Sequence, residues 1–202
     1  MTQELFFGST NTGKITEVRS ILGSVGVSIL TPIDLGLSEF QAPEESGDTF
    51  AENAQIKALY FAQRAEMTTL TEDSGLLVAA LDGFPGVLSA RWHSGSDADR
   101  NLALLKKMES CTDRSAQFQT AICVHNLKTQ SSVFFSGVLS GTLADSPKGT
   151  GGFGYDPIFI PTGYSHTLAE LGTKQKNAIS HRRSALNACV NKMQTNPEIF
   201  FA

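Results

Sequence analysis

The chain has no Cys-x-x-Cys pair, no basic excess, no long apolar run and no repeated or biased tract. Each absence removes a class of function. Its 3 cysteines, Cys111, Cys123 and Cys189, are odd in number and widely separated. That spacing excludes a disulfide scaffold or a structural zinc site and fits idle thiols in a reducing cytoplasm. A formal net charge of −4 argues against a broad nucleic-acid or membrane-surface footprint. No apolar stretch approaches the roughly 18 residues of a membrane span. The first residues lack the basic-then-apolar order of a signal peptide. His93, His125 and His166 show no metal-ligand spacing. The expectation is a cytoplasmic protein with neither membrane nor nucleic acid as partner.

What is present is ordinary globular material: 202 residues, 41% hydrophobic and 18% charged. That length forms one domain over residues 1–202, with room for a proper core and for two lobes. Glu4 to Gly8 reads as a short buried strand. Asn11 or Thr12 caps a helix whose face carries Ile15, Val18, Ile21 and Leu22. Strand, glycine-bearing turn and helix make the opening half of a βαβ unit. A loop from Thr31 to Asp48 follows, then a capping box in which Thr49 pairs with Glu52. The helix behind it carries Phe50, Ala54, Ala58, Phe61, Ala62 and Ala65 on one stripe.

Met67 to Leu70 reads as a short strand, and Ser96 or Asp97 starts a helix with Leu102, Leu105 and Met108 inward. Residues 116–125 and 132–143 are rich in β-branched and aromatic side chains and form an antiparallel hairpin. Ile158 to Ile160 is a short strand. The last helix begins near Ser180 and buries Leu186, Cys189, Val190 and Met193. The architecture is mixed α/β, of βα type at the front and antiparallel in the middle.

The stretch Thr71-Glu72-Asp73-Ser74-Gly75 places acid at the expected end of a strand, where α/β folds hold ligands. Adjacent acids repel, and a divalent cation offers a way to keep both in a site, since Mg²⁺ takes one or two carboxylates plus substrate phosphates. Glu44-Glu45 is a second acidic pair; alone it also reads as solvated loop. Asn53 and Lys57 lie one turn apart and read equally as solvent-facing polar residues.

Gly8-Ser9-Thr10-Asn11-Thr12-Gly13-Lys14 nearly spells a P-loop, but Ile15 stands where the Mg²⁺-binding hydroxyl belongs. The phosphate-cradling part survives as N–H groups at a helix start, hydroxyls, an amide and a lysine. Such a stretch also suits a plain strand-to-helix turn. Lys148 to Pro157 holds glycines around Phe153 and Tyr155, which permits close approach to a flat base and stacking on it. Lys176 and Ser180-His181-Arg182 gather cations and donors at the start of the last helix, where the macrodipole disfavours positive charge, hinting at a bound anion or electronegative base edge.

In their order these runs resemble one family, the inosine triphosphate pyrophosphatases of the Ham1/RdgB-like type. The matching runs are Ser9 to Lys14, Glu44 to Gly47 with Thr49-Phe50 and Glu52 to Ala54, Asp73 to Leu76, Pro85 to Val87 with Ser89 to Arg91, Gly149 to Phe159, Ala169 to Leu171, and Lys176 to Arg182. The resemblance implies an ITPase-like (Maf/Ham1) α/β fold: a long twisted mixed sheet flanked by helices, two lobes with a central cleft, and a homodimer. It implies Mg²⁺-dependent hydrolysis of non-canonical purine nucleoside triphosphates (dITP, ITP, XTP) to the monophosphate plus pyrophosphate, which cleanses the nucleotide pool. By the same resemblance Asp73 is the proton acceptor and a metal ligand, and Glu44 a second metal ligand. Ser9, Thr10, Asn11, Thr12, Gly13, Lys14 and Ser74 touch substrate. Phe153, Gly154, Tyr155, Asp156, Lys176, His181 and Arg182 line the nucleotide site. The position before Asp73, commonly aspartate in the family, is Glu72 here. Outside that family, a P-loop NTPase or a nucleotide-binding module without turnover would use some of the same residues.

Overall fold

The protein is described by a computed structural model covering residues 3–37 and 42–201. Residues 38–41, inside the loop expected between Thr31 and Asp48, lie outside the described residues. The chain runs β1 (Gln3–Phe7), α1 (Thr12–Gly23), β2 (Val27–Leu30), α2 (Phe50–Ala65), β3 (Thr69–Val78), α3 (Asp97–Lys107), β4 (Ser115–Asn126) and β5 (Ser131–Leu143). It ends with β6 (Phe159–Pro161), α4 (Gly172–Ile179), α5 (His181–Thr195) and α6 (Glu198–Phe201). The strands form a six-stranded sheet in the order β2-β1-β3-β4-β5-β6. β1 is parallel to both β2 and β3, while β6 is antiparallel to β5. The expected mixed α/β class is correct.

Local signals explain much of this. Leu5, Phe6 and Phe7 are fully buried, as befits a central parallel strand covered on both faces. Asn11 caps α1 by accepting from the Lys14 N–H, and Ile15, Val18 and Leu22 bury as expected. The Thr49–Glu52 capping box forms with both of its hydrogen bonds. A cap of this kind contributes about 1 kcal/mol. β4 and β5 are sheet neighbours joined by residues 127–130, a link too short for anything but an antiparallel hairpin. Gly8 follows β1 because a Cβ there would lie 2.5 Å from the Phe61 ring and 2.9 Å from the Thr71 methyl.

Two expectations fail. β3 does not stop at Leu70 but runs on to Val78, so Glu72 and Asp73 are mid-strand residues. In α3 the inward residues are Asn101, Leu104 and Met108, while Leu102 is 58% exposed. The capping box between Ser96 and Asp99 sets the start of that helix, and the 3.6-residue period then turns Leu102 outward.

The chain divides into two compact units: residues 1–73, 120–137 and 182–202, and residues 74–119 and 138–181. The first has its own core, in which Leu5, Phe7, Val18, Leu22, Leu70 and Leu186 pack with Phe200. The second has another, built from Leu76, Val78, Leu104, Met108, Ile158 and Phe159. Among the described residues, no helix is long and apolar enough to cross a membrane.

Candidate active site

The first unit holds a charged group built around β3. Successive strand residues point to opposite faces, so Glu72 and Asp73, though adjacent, have different neighbours. The notion that one cation holds both acids is thereby corrected. Asp73 meets α2: the Lys57 ammonium lies 3.1 Å from its Oδ1, and Asn53 donates to its Oδ2 at 3.3 Å. Lys57 also donates to Glu45 Oε1 at 2.5 Å. Asn53 in turn accepts from the Gly47 N–H at 2.8 Å, which ties the acidic loop to the helix. Asn53 and Lys57 sit at i and i+4 and are both buried, so they are not solvent-facing. Burial raises the pKa of Asp73; the Lys57 ammonium opposes that rise, and the Glu45 charge adds to it.

Glu72 meets α1 and α5. Arg182 donates through Nε to Glu72 Oε2 at 2.6 Å and through Nη1 to Glu17 Oε2 at 2.6 Å. Lys14 Nζ lies 3.0 Å from Glu72 Oε1. Burial pushes the Glu72 carboxyl up, but Arg182 and Lys14 more than reverse it and hold it well below the usual carboxylate range. Arg182 is 2% exposed. Its guanidinium is an internal partner of two carboxylates, not an open donor as expected.

After β1, Ser9 to Asn11 turn into α1, whose first residues are Thr12, Gly13 and Lys14. Asn11 N–H donates to Ser9 Oγ at 3.2 Å and Lys14 N–H to Asn11 Oδ1 at 3.1 Å. Thr10, Asn11 and Thr12 are exposed; Ser9, Gly13 and Lys14 are half-buried. The hydroxyls and the helix start therefore face solvent, as an anion-binding turn requires.

The second unit carries the aromatic set. Asp156 Oδ2 accepts from the Phe153 N–H at 2.9 Å and from Lys176 Nζ at 2.5 Å. The same ammonium lies 4.2 Å from the centroid of the Phe153 ring. Gly152 has φ +75°, and a Cβ there would fall 2.0 Å from Asp156 Oδ2, so only glycine suits this turn. Helix α3 holds the loop from the other side: Gly154 N–H donates to Asp97 at 2.7 Å and Asn101 donates to the Gly154 carbonyl at 3.1 Å. Tyr155 is 5% exposed; its hydroxyl accepts from Trp92 and donates to the Ser89 carbonyl, both at 2.7 Å. Of the two aromatics expected to stack on a base, Tyr155 is core and Phe153 stays accessible at 36%. His181 stacks on Phe118 with ring centroids 5.0 Å apart. Ser74, the first residue of this unit, is half-buried.

Glu44 is exposed on its loop, while its neighbour Glu45 turns to Lys57. Among the described residues, no group of three or more His, Cys, Asp or Glu is gathered tightly enough to hold a metal alone. Mg²⁺ takes one or two carboxylates, with phosphate and water for the rest. Asp73 and Glu45 already share a positive charge, the Lys57 ammonium, so the donor chemistry fits a cation at this place. The residues that sequence reasoning undervalued are Asn53, Lys57 and Glu17. Their one readable signal was polar side chains on otherwise apolar helix stripes.

A sequence model of the Ham1 family matches residues 5–192. The dITP/XTP pyrophosphatase of Symbiobacterium thermophilum is 44% identical over 195 residues, covering 95% of this chain and 95% of that one. That of Agrobacterium fabrum is 38% identical over 207 residues, with 94% and 95% covered. Among solved structures, the Staphylococcus aureus Ham1 protein superposes with a TM-score of 0.85 at 37% identity, over 96% of this chain and 99% of that one. A HAM1 protein from Coxiella burnetii gives 0.87 at 35% identity, with 96% and 99% covered.

Proposed function

The chain belongs to the Ham1 family, and from that premise we propose that it hydrolyses dITP, ITP and XTP to the monophosphate and pyrophosphate with Mg²⁺. It is a hydrolase of the nucleoside-triphosphate pyrophosphatase class, like its relatives. The observation that carries the reading is Asp73: a buried carboxylate held by an ammonium and an amide, on the strand that also bears the partner of Lys14.

The phosphate-handling residues belong to the first unit, apart from Ser74. Ser9 to Lys14 offer hydroxyls, N–H groups and one ammonium to phosphoryl oxygens, and Ser74 adds a hydroxyl. Asp73 orients the attacking water and accepts its proton as the α,β-anhydride breaks; pyrophosphate leaves. A carboxyl with a raised pKa is a better base than an ordinary one, and the Lys57 ammonium opposes that rise in Asp73. Asp73 and Glu44 would hold the Mg²⁺, which would neutralise charge developing on the leaving group.

The residues for the base belong to the second unit. Phe153 offers its ring face, with Gly154 and the Asp156–Lys176 pair fixing the loop that carries it. A 6-oxo purine accepts a hydrogen bond where adenine's 6-amino donates, so His181 favours hypoxanthine and xanthine. A donor left unpaired opposite adenine costs about 1–3 kcal/mol. The same reading makes the protein a cytoplasmic homodimer; light scattering at micromolar concentration tests the dimer.

The functional test is pyrophosphate release from dITP, XTP, dGTP and ATP, each with Mg²⁺ and with EDTA. Metal-dependent release from dITP and XTP, with dGTP and ATP nearly untouched, is expected. Turnover of all four alike would remove the specificity argument, and turnover of none would refute the assignment.

A further inference from the structure

We propose that Glu17, Arg182 and Glu72 form a ladder of alternating charge that positions Lys14 for the triphosphate, making Glu17 a positioning residue for phosphate binding. The inference rests on the reading above that Lys14 meets phosphates. Its starting point is the order of the four groups. Glu17 bonds Arg182 at 2.6 Å, Arg182 bonds Glu72 at 2.6 Å, and Glu72 meets Lys14 at 3.0 Å. The signs run minus, plus, minus, plus and sum to zero. Only the last rung reaches solvent: side-chain exposure is 7% for Glu17, 2% for Arg182, 1% for Glu72 and 20% for Lys14. The positive end of a neutral ladder is thus the end presented outward.

Each rung has a physical task. Lysine is a point charge on a flexible stem, and ordering it costs up to about 2 kcal/mol of rotamer entropy. A carboxylate beside the ammonium meets that cost before any ligand arrives. A lone carboxylate, however, would also neutralise the lysine toward an anion. Arg182 prevents this by taking the other oxygen of Glu72, so that the charge of Glu72 is shared. Glu17 gives the Arg182 guanidinium a second carboxylate, so that the cation is shared between two acids. The guanidinium suits this place because its planar fork can serve two carboxylates on different elements at once. Lys14 and Glu17 stand at i and i+3 of α1, so the ladder leaves that helix and returns to it through β3 and α5.

A purely architectural cluster would have the same bonds, so the test must separate the two. Tripolyphosphate binding, measured by calorimetry, reports on the phosphate set without a base or turnover. Glu17→Gln keeps a hydrogen bond to Arg182 and removes the charge; the expected loss of tripolyphosphate affinity is about tenfold, the scale of one displaced charge-assisted bond. Arg182→Lys, which keeps the charge but has one ammonium for two carboxylates, gives the same pattern and stands in should the first variant melt early. In a Lys14→Met background Glu17→Gln has no further effect, because the group it positions is gone. The ratio of dITP to dGTP turnover stays that of the unaltered protein in Glu17→Gln. The inference is overturned by unchanged tripolyphosphate affinity in both variants, by an equal loss with Lys14 absent, or by failure of the unaltered protein to bind tripolyphosphate. Failure to release pyrophosphate from dITP, with tripolyphosphate binding and its dependence on Glu17 intact, would sink the assigned activity and leave the ladder standing.

Discussion

Replacing Lys57 by Met should destabilise the protein in a way that depends on pH. The ammonium lies 2.5 Å from Glu45 and 3.1 Å from Asp73. Methionine keeps most of the stem but leaves two carboxylates facing each other. Removing one partner of a fully buried ion pair costs about 3–5 kcal/mol. Here the side chains of Lys57 and Asp73 are 9% and 10% exposed, but that of Glu45 is 23% exposed. Water recovers part of the loss, so about 2–3 kcal/mol is expected near neutral pH. For a chain of this size that corresponds to a fall in Tm of roughly 5–10 °C. The sign with pH follows from Asp73. Its folded-state pKa is already raised by burial against Lys57, so its ionisation disfavours the folded state as pH climbs from the ordinary carboxylate value through the raised one. Without Lys57 the pKa rises further, and that window widens upward. The penalty is therefore smaller at pH 5 than at pH 8. Thermal melts in EDTA at the two pH values measure it. An equal loss at pH 5 and pH 8 would show that Lys57 contributes packing and not charge, and the account of Asp73 would fall.

Four further outcomes follow from the same geometry. Glu44→Gln should raise the Mg²⁺ concentration for half-maximal pyrophosphate release about tenfold while leaving the melt unchanged, because Glu44 is exposed; no change in the Mg²⁺ titration would remove it as a ligand. Gly152→Ala forces a Cβ against Asp156 and should raise KM for dITP at least about tenfold with tripolyphosphate affinity kept; loss of both would mean that the damage is general. Thr49→Ala should lower Tm by about 2–4 °C through loss of the α2 cap, and an unshifted melt would contradict the capping box. Burial pushes the Cys123 thiol up to about 11 and that of Cys189 to about 12; a thiol reagent at pH 8 should therefore label Cys111 alone until denaturant is added, and rapid native labelling of all 3 cysteines would refute their burial.

What could be read from the chain was local. The Thr49–Glu52 capping box, the α2 stripe, the burial on α5 and the hairpin rest on residues within one turn or one link of each other, and these signals agree with the fold. The misreadings concern distance and alternation. The bond from Arg182 to Glu17 joins residues 165 positions apart, and no periodicity announces it; Arg182 therefore looked like an open donor. Asn53 and Lys57 looked like surface because polarity alone reports only a preference, and the carboxylate that justifies burying them arrives from a different element. β2 and α4 were missed since four-residue and eight-residue segments hold too few turns of either period to stand out. Tyr155 was grouped with Phe153 by composition, whereas the hydroxyl makes it the better core residue once Trp92 and Ser89 are at hand to bond it.

The opposed orientation of Glu72 and Asp73 on β3 also limits how this gene segment can vary. Substitution at either acid alters one neighbourhood and leaves the other in place, so the two can drift separately. Insertion or deletion of a single codon between Thr69 and Glu72 is another matter. It would send the carboxylate meant for Lys57 toward Arg182, and the one meant for Arg182 toward Lys57, inverting both assignments at once. Length variation in this strand is therefore tolerable only in steps of two residues, a parity rule absent from the loops on either side.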